Sequence, residues 1–152
     1  MNPSFHIAAH FLVGKSDVYR RVYRARKFID ESFHRPLDLH QISKQAFFSR
    51  YHFLRMFRKT FNKTPHQYLT QRRIERAKQL LAESSLSVTE VCFEVGFESV
   101  GSFCSLFHKH VGQPPNLYRT YMVKRKQTVA RLPELAVPSC FLKMFGVKTS
   151  QS

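Results

Sequence analysis

Apolar residues return at helical spacing in successive stretches of this chain, and the stretches fall into two matching sets. Leu39, Ile42 and Ala46 lie one turn apart, as do Val88, Val91 and Val95 further on. Each short run opens on a capping signature, Asp38 with Gln41 in the first and Ser87 with Glu90 in the second. A turn follows, Phe47-Phe48 in one set and Gly96-Phe97-Glu98 in the other. Ser49 and Ser99 then stand as caps of longer helices running to about Phe61 and Val111. Phe53, Phe57 and Phe61 share one face of the first; Phe103, Phe107 and Val111 share one face of the second. These stripes are read as core.

The two sets are copies. Ser49, Phe53, Phe57, Lys59, Pro65 and Tyr68 match Ser99, Phe103, Phe107, Lys109, Pro115 and Tyr118, each pair 50 positions apart. Upstream the offset is 49, where Leu37, Leu39, Ile42 and Phe48 answer Leu86, Val88, Val91 and Phe97. The second copy therefore carries one more residue near Glu98. An ordered set of this length marks a repeated unit of helix, tight turn and helix.

Two further helices complete the plan. One runs from Ser16 to about Phe33, with Ser16 or Asp17 at its start and Val18, Val22, Phe28, Ile29 and Phe33 near helical spacing. The other is capped by Thr64, has Pro65 at its first position and reaches about Ala82. It turns Leu69, Ala77, Leu80 and Leu81 inward and Arg72, Arg73, Arg76 and Lys78 mostly outward. The expected fold is all-α, with two helix-turn-helix subdomains joined by a long linker helix. Its expected parts are an N-terminal extension over 1–15, a domain holding both units over 16–121 and a basic, then apolar, tail over 122–152. Within the domain, the first helix-turn-helix covers about 38–61, the linker helix about 65–82 and the second helix-turn-helix about 87–111.

Charge changes the picture from fold to function. Twenty-five Lys and Arg against 10 Asp and Glu give a formal net charge of +15. Such an excess repels itself in the folded state and commonly serves a polyanionic partner, nucleic acid or an anionic membrane; the plain alternative is a basic surface kept for solubility. The charge is uneven. From Lys44 to Lys78 ten basic residues face Glu75 alone, whereas from Ser84 to Arg119 only Lys109 and Arg119 face Glu90, Glu94 and Glu98. A helix-turn-helix leaves the outward face of its second helix free for the major groove. In the first unit that face carries Arg50, Tyr51, Leu54, Arg55 and Arg58, with Lys59 beside it. Arg55, mid-helix, is the expected base reader, because a guanidinium fork matches guanine O6 and N7. Tyr51 and Leu54 suit thymine methyls. Arg50, Arg58 and Lys59 suit phosphates, which position without reading sequence. A run of cations without one acid is unusual for an idle solvated helix.

The second unit presents Val100, Gly101, Ser102, Cys104, Ser105, His108 and Lys109, with no Arg, Asn or Gln for bidentate contacts. It binds weakly, reads shape through Ser102 and Ser105, or meets a protein instead. The electrostatic share of binding falls mainly to the first unit.

Other chemistries find little support. His52, His108 and His110 with Cys92 and Cys104 fit no standard zinc spacing. There is no P-loop, no Gly-rich dinucleotide turn and no paired carboxylates on an apolar surface, so no enzyme activity, catalytic residue, cofactor or metal is expected. RNA binding lacks its usual exposed aromatic platform on a sheet. No apolar stretch approaches the roughly 20 residues that span a bilayer, and no signal-peptide layout opens the chain. Cys92, Cys104 and Cys140 are an odd set without C-x-x-C spacing, as expected of reduced thiols.

Over roughly Val18 to Tyr121 the chain resembles the DNA-binding domain of the AraC/XylS family of bacterial transcription regulators. The resemblance rests on the run from Ser49 to Lys59, on Thr64-Pro65-His66-Gln67-Tyr68 and on Arg72-Arg73-Ile74. It continues through Val95-Gly96-Phe97-Glu98-Ser99, Ser102-Phe103, Phe107, Gly112-Gln113-Pro114-Pro115 and Tyr118-Arg119. It implies recognition helices entering successive major grooves of double-stranded DNA. It also implies control of transcription, often activation through contact with RNA polymerase, and a cytoplasmic, nucleoid-associated bacterial protein. Carried over by position, the family's contact residues are Tyr51, Leu54 and Arg55, then Val100, Gly101, Ser102 and Ser105. Lys109 joins the phosphate contacts.

The chain departs from the pattern at Phe47, where the first turn normally has glycine. It also lacks polar readers in the second recognition helix and an effector domain ahead of the first helix. It is read as a stand-alone regulator controlled by its abundance, or one whose signal arrives otherwise. One chain holds both units, which is compatible with binding as a monomer. The alternative is a non-specific or architectural DNA-binding protein. Lys124-Arg125-Lys126 suits either a phosphate backbone or plain solvation, and the apolar stretch from Val137 to Phe145 suits docking on the domain, on a partner or on a further region.

Overall fold

The structure, a computed structural model, describes the backbone of residues 4–131 and the side chains of residues 17–128. Over that span every regular element is a helix, in the order α1 (Ser4–Ser32), α2 (Leu39–Gln45), α3 (Arg50–Phe61), α4 (Pro65–Glu83), α5 (Val88–Glu94), α6 (Val100–Val111) and α7 (Pro115–Arg131). The stretch from Val137 to Phe145 and Cys140 lie outside the described residues.

Local chemistry sets the helix starts. Asp38 accepts from the Gln41 amide at 2.7 Å while the Gln41 side chain accepts from the Asp38 amide at 3.0 Å, closing a reciprocal cap. Thr64 with Gln67, and Ser87 with Glu90, make the same box. The Ser87 hydrogen bonds hold the Glu90 carboxyl below the usual carboxylate range. Pro65 opens α4 and Pro115 opens α7, where a missing amide proton is harmless.

Two hydrophobic centres share no residue. The first gathers Val22, Ala25 and Ile29 of α1, Ile42 and Ala46, Phe53 and Phe57 of α3, and Leu69 at the front of α4. The second gathers Ile74, Ala77 and Leu81 of α4 with Val91, Cys92, Val95, Phe97, Phe103 and Phe107. Helix α4 thus gives its first turns to one unit and the rest to the other. Phe57 meets Tyr68 edge-on at 5.9 Å, and Phe107 meets Tyr118 at 5.6 Å. In the second unit α7 therefore does what the front of α4 does in the first. Helix α7 was not anticipated, although Pro115 and Tyr118 repeat Pro65 and Tyr68 and so signalled it.

Three expectations need correction. Helix α1 begins at Ser4, twelve residues ahead of the expected Ser16: Ser16 caps well, but a cap-forming residue ends a helix only when the preceding turn leaves helical geometry. Arg72 and Arg73 are only partly exposed and are engaged by distant parts of the chain. Arg72 pairs with Asp30 at 2.9 Å and Glu75 at 2.5 Å, beside the Tyr68 hydroxyl, which donates to Asp30. Arg73 is half-buried and donates to the carbonyls of Phe33 and Arg35 at 2.8 and 2.9 Å.

Both turns close by the same hydrogen bonds. Phe47 donates to the Lys44 carbonyl and Gly96 to that of Phe93; Phe48 donates to Ser43 and Phe97 to Cys92. Phe47 has φ 53° and Gly96 has φ 90°, so the first turn holds a phenylalanine in the left-handed region. That conformation costs a residue with a Cβ about 1–2 kcal/mol. The Phe47 ring is 69% exposed, and among the described residues the Arg24 guanidinium lies 5.6 Å from its centre. A cation over an exposed ring contributes about 0.5–1 kcal/mol, less than the strain. Phe47→Gly is therefore expected to raise stability by about 0.5–1 kcal/mol in urea denaturation. A loss would show the ring contact to outweigh the backbone strain.

Candidate nucleic-acid interface

Helix α3 starts at Ser49, whose side chain accepts from the His52 amide, and stops at Asn62, which turns left-handed at φ 54°. Its inner face is fixed by rings: Phe53 to Phe57 at 5.4 Å, Phe57 to Phe61 at 4.7 Å, and Tyr23 against Phe61 at 5.2 Å. Phe53 and Phe57 are fully buried. With that side anchored, the helix cannot roll, and the opposite side is committed to solvent.

That side holds the residues singled out from the sequence. Arg50, Tyr51, Arg55, Arg58 and Lys59 are exposed, and Leu54 is half-buried. Tyr51 stands out at 90% exposure, an aromatic side chain with almost no contact to its own protein. Tyr51, His52, Leu54, Arg55, Arg58 and Lys59 line one open concavity with Ser49 and Thr64. Among the described residues, none of Arg50, Arg55, Arg58 and Lys59 pairs with a carboxylate. Cations elsewhere do pair: Arg21 with Asp17 at 2.8 Å, Arg26 and Arg72 with Asp30, Lys27 with Glu31. An idle solvated helix commonly carries acids one turn from its bases. Helix α3 carries none.

A second concavity lies at the start of α3, lined by His40, Ser43, Lys44, Phe47, Phe48, Ser49 and Arg50. His40 and Lys44 lie outside the candidates marked by the sequence, because apolar periodicity reports only the inward face of α2. The signal was Lys44 in the last turn of α2, at the position where the second unit has Phe93.

In the second unit, Ser99 accepts from the Ser102 amide and its hydroxyl donates to the Ser102 hydroxyl at 2.9 Å. Gly101, Ser102, Ser105 and Lys109 are exposed and Val100 is half-buried. A Cβ at Gly101 would meet nothing within 4 Å, so glycine there leaves bare backbone on the outer face and answers no internal need. The neighbouring helix α5 exposes Phe93 at 55%. The structure thus brings each set of predicted residues onto one outer helix face, charged in the first unit and small, nearly neutral in the second. Cys92 is fully buried, and burial pushes its thiol upward from the usual range. Among the described residues, no group of three or more His, Cys, Asp or Glu side chains is placed to hold a metal, and no helix is long and apolar enough to cross a membrane.

Residues 42–121 match a family model described as a helix-turn-helix domain. The match takes in α3, α4, α5 and α6 entire. The chain belongs to this family, the AraC/XylS-type regulators. Among AraC/XylS-type relatives, the melibiose operon regulatory protein of Escherichia coli K12 is 29% identical over 101 residues, 66% of this chain and 33% of that protein. The chain thus spans about a third of that relative's length. The crystal structure of the DNA-binding domain of AdpA, a global transcriptional factor, in complex with a target DNA, superposes with a TM-score of 0.64 at 29% identity. It covers 74% of this chain and 96% of that domain. A transcriptional regulator from Chromobacterium violaceum, described by its AraC-type DNA-binding domain, gives 0.64 at 25% identity over 68% of this chain and 93% of its own.

Proposed function

We propose that this protein binds double-stranded DNA at preferred sequences and regulates transcription. The carrying observation is the outer face of α3, where four cations stand without a carboxylate partner among the described residues, around an almost bare tyrosine. A phosphate backbone supplies the missing negative charge, and releasing its counterions drives the association. In this reading α3 lies in one major groove, with Arg55 on a guanine edge and Tyr51 and Leu54 against thymine methyls. Arg50, Arg58 and Lys59 hold phosphates. Helix α6 enters the next groove with Val100, Gly101, Ser102 and Ser105 toward the bases and Lys109 toward a phosphate. Its small side chains suit close approach more than hydrogen-bond reading. The relatives' roles as regulators and the AdpA complex with DNA support the reading. The DNA-binding body covers residues 16–121, acts in the bacterial cytoplasm on the nucleoid, and works as a monomer because one chain holds both helices. Activation through RNA polymerase is the outcome the family favours.

Selection of duplexes from a random pool tests this. Enrichment of one asymmetric site spanning two successive major grooves is the expected result. Equal retention of all duplexes, with affinity governed by salt alone, would instead make this an architectural binder.

Lys59→Ala separates positioning from reading. It is expected to weaken every duplex alike and to flatten the dependence of log affinity on log salt by about one unit. A loss confined to the preferred site would move Lys59 among the base readers.

A further inference from the structure

Among the described residues, the two units meet at a junction built from parts far apart in sequence. Helix α1 ends at Ser32, leaving its last carbonyls without helical partners. Arg73, projecting from α4, takes two of the carbonyls just beyond: Nε donates to Phe33 and Nη2 to Arg35. A cation there also meets the negative end of the α1 dipole. The same guanidinium lies over the Phe97 ring, 5.5 Å from its centre, and Phe97 belongs to the core of the second unit. Beside it the second turn presses against α1: a Cβ on Gly96 would stand 2.8 Å from the carbonyl oxygens of both Phe33 and His34. One side chain therefore ties the end of the first unit's helix to the turn that aims α6.

On another side of α4 the units are parted by an open cleft lined by Asn62, Lys63, Lys78, His110 and Val111, among others. The two cores share no residue. Helix α4 by itself would leave open a rocking of one unit against the other about its axis. The α1–turn junction opposes that motion.

We propose that Arg73 is the positioning residue that fixes the separation and relative rotation of α3 and α6, and so sets the half-site spacing selected on DNA. The inference rests on the reading that both helices enter the duplex. Inserting one base pair moves the half-sites apart by about 3.4 Å and rotates them by about 34°, a step that a pinned pair of helices cannot follow.

Two measurements test it, one of them without DNA. Residual dipolar couplings of the free protein should fit one alignment tensor for amides of α2–α3 and α5–α6 together. In Arg73→Met the two units should need separate tensors. On duplexes derived from the selected site with one base pair added or removed between the half-sites, the wild type should lose roughly tenfold or more in affinity, and Arg73→Met less than about threefold. Should Arg73→Met fail to fold, Arg73→Lys keeps a cation but neither the fork nor the flat stack, and it should show the same two changes in part. A single shared tensor in the variant overturns the proposal, whatever the DNA result. A single tensor in the wild type that splits in the variant, with an unchanged spacing preference, overturns the link to DNA spacing while leaving sequence-specific binding intact.

Discussion

Gly96→Ala is expected to destabilise the protein by about 3 kcal/mol, a fall of roughly 10–20 °C in Tm. Two effects add. At φ 90° any residue with a Cβ is strained, by about 1–2 kcal/mol. The new methyl would also lie 2.8 Å from two carbonyl oxygens. Those oxygens belong to backbone, and the Phe33 carbonyl is held in place by Arg73 at 2.8 Å, so they cannot withdraw as a flexible side chain would. Forcing atoms into such a contact costs about 1–3 kcal/mol. Gly112→Ala is the internal comparison. Gly112 has φ 84° but open space where its Cβ would stand, so only the backbone strain applies, about 1–2 kcal/mol. Urea denaturation of the two variants side by side isolates the contact. If both lose the same amount, the junction yields and Gly96 is required only for its backbone angle.

On DNA, Arg55→Ala should produce the largest change in recognition. At the selected site it is expected to cost about 1–3 kcal/mol, or roughly 5- to 150-fold in Kd, and to relax preference at one base pair. Arg55 sits mid-helix on the exposed face, with no carboxylate partner among the described residues, so its guanidinium reaches a base edge without breaking an internal pair. Arg55→Lys keeps the charge and loses the fork. Recovery of overall affinity without recovery of the base preference would mark the contact as bidentate. Competition binding against duplexes with each base at that position reads both quantities. Should Arg55→Ala weaken all of them equally, Arg55 holds a phosphate and the reader lies elsewhere on α3.

The contrast between Phe47 and Gly96 shows where sequence reading reached its limit. The repeat aligned them, and the departure from glycine at Phe47 implied strain if the turn stayed left-handed; φ is 53° there. Only the packing shows that the first turn has room for a side chain at this position and the second does not. The first turn faces solvent, with the Phe47 ring 69% exposed, whereas the second turn is pressed on the end of α1. The same holds for the arginines of α4. Helical spacing put Arg72 and Arg73 outward, but partners 38 to 42 residues away, Phe33, Arg35 and Asp30, draw both into contacts. Helix α1 also starts earlier than its cap residues indicated, and α7, over Pro115–Arg131, is a helix that capping and apolar periodicity did not mark.

By itself the sequence determined the helices from α2 through α6, their caps, the aromatic faces they bury and the outer face on which the unopposed cations stand. Each of these depends on residues within a turn or two of one another, where 3.6-residue periodicity and capping chemistry act. Only the tertiary structure decided how the two units are held together. That depends on carbonyls at the end of α1, a guanidinium on α4 and a ring and glycine in the second turn, groups brought together by packing and carrying no mark of it in the local sequence.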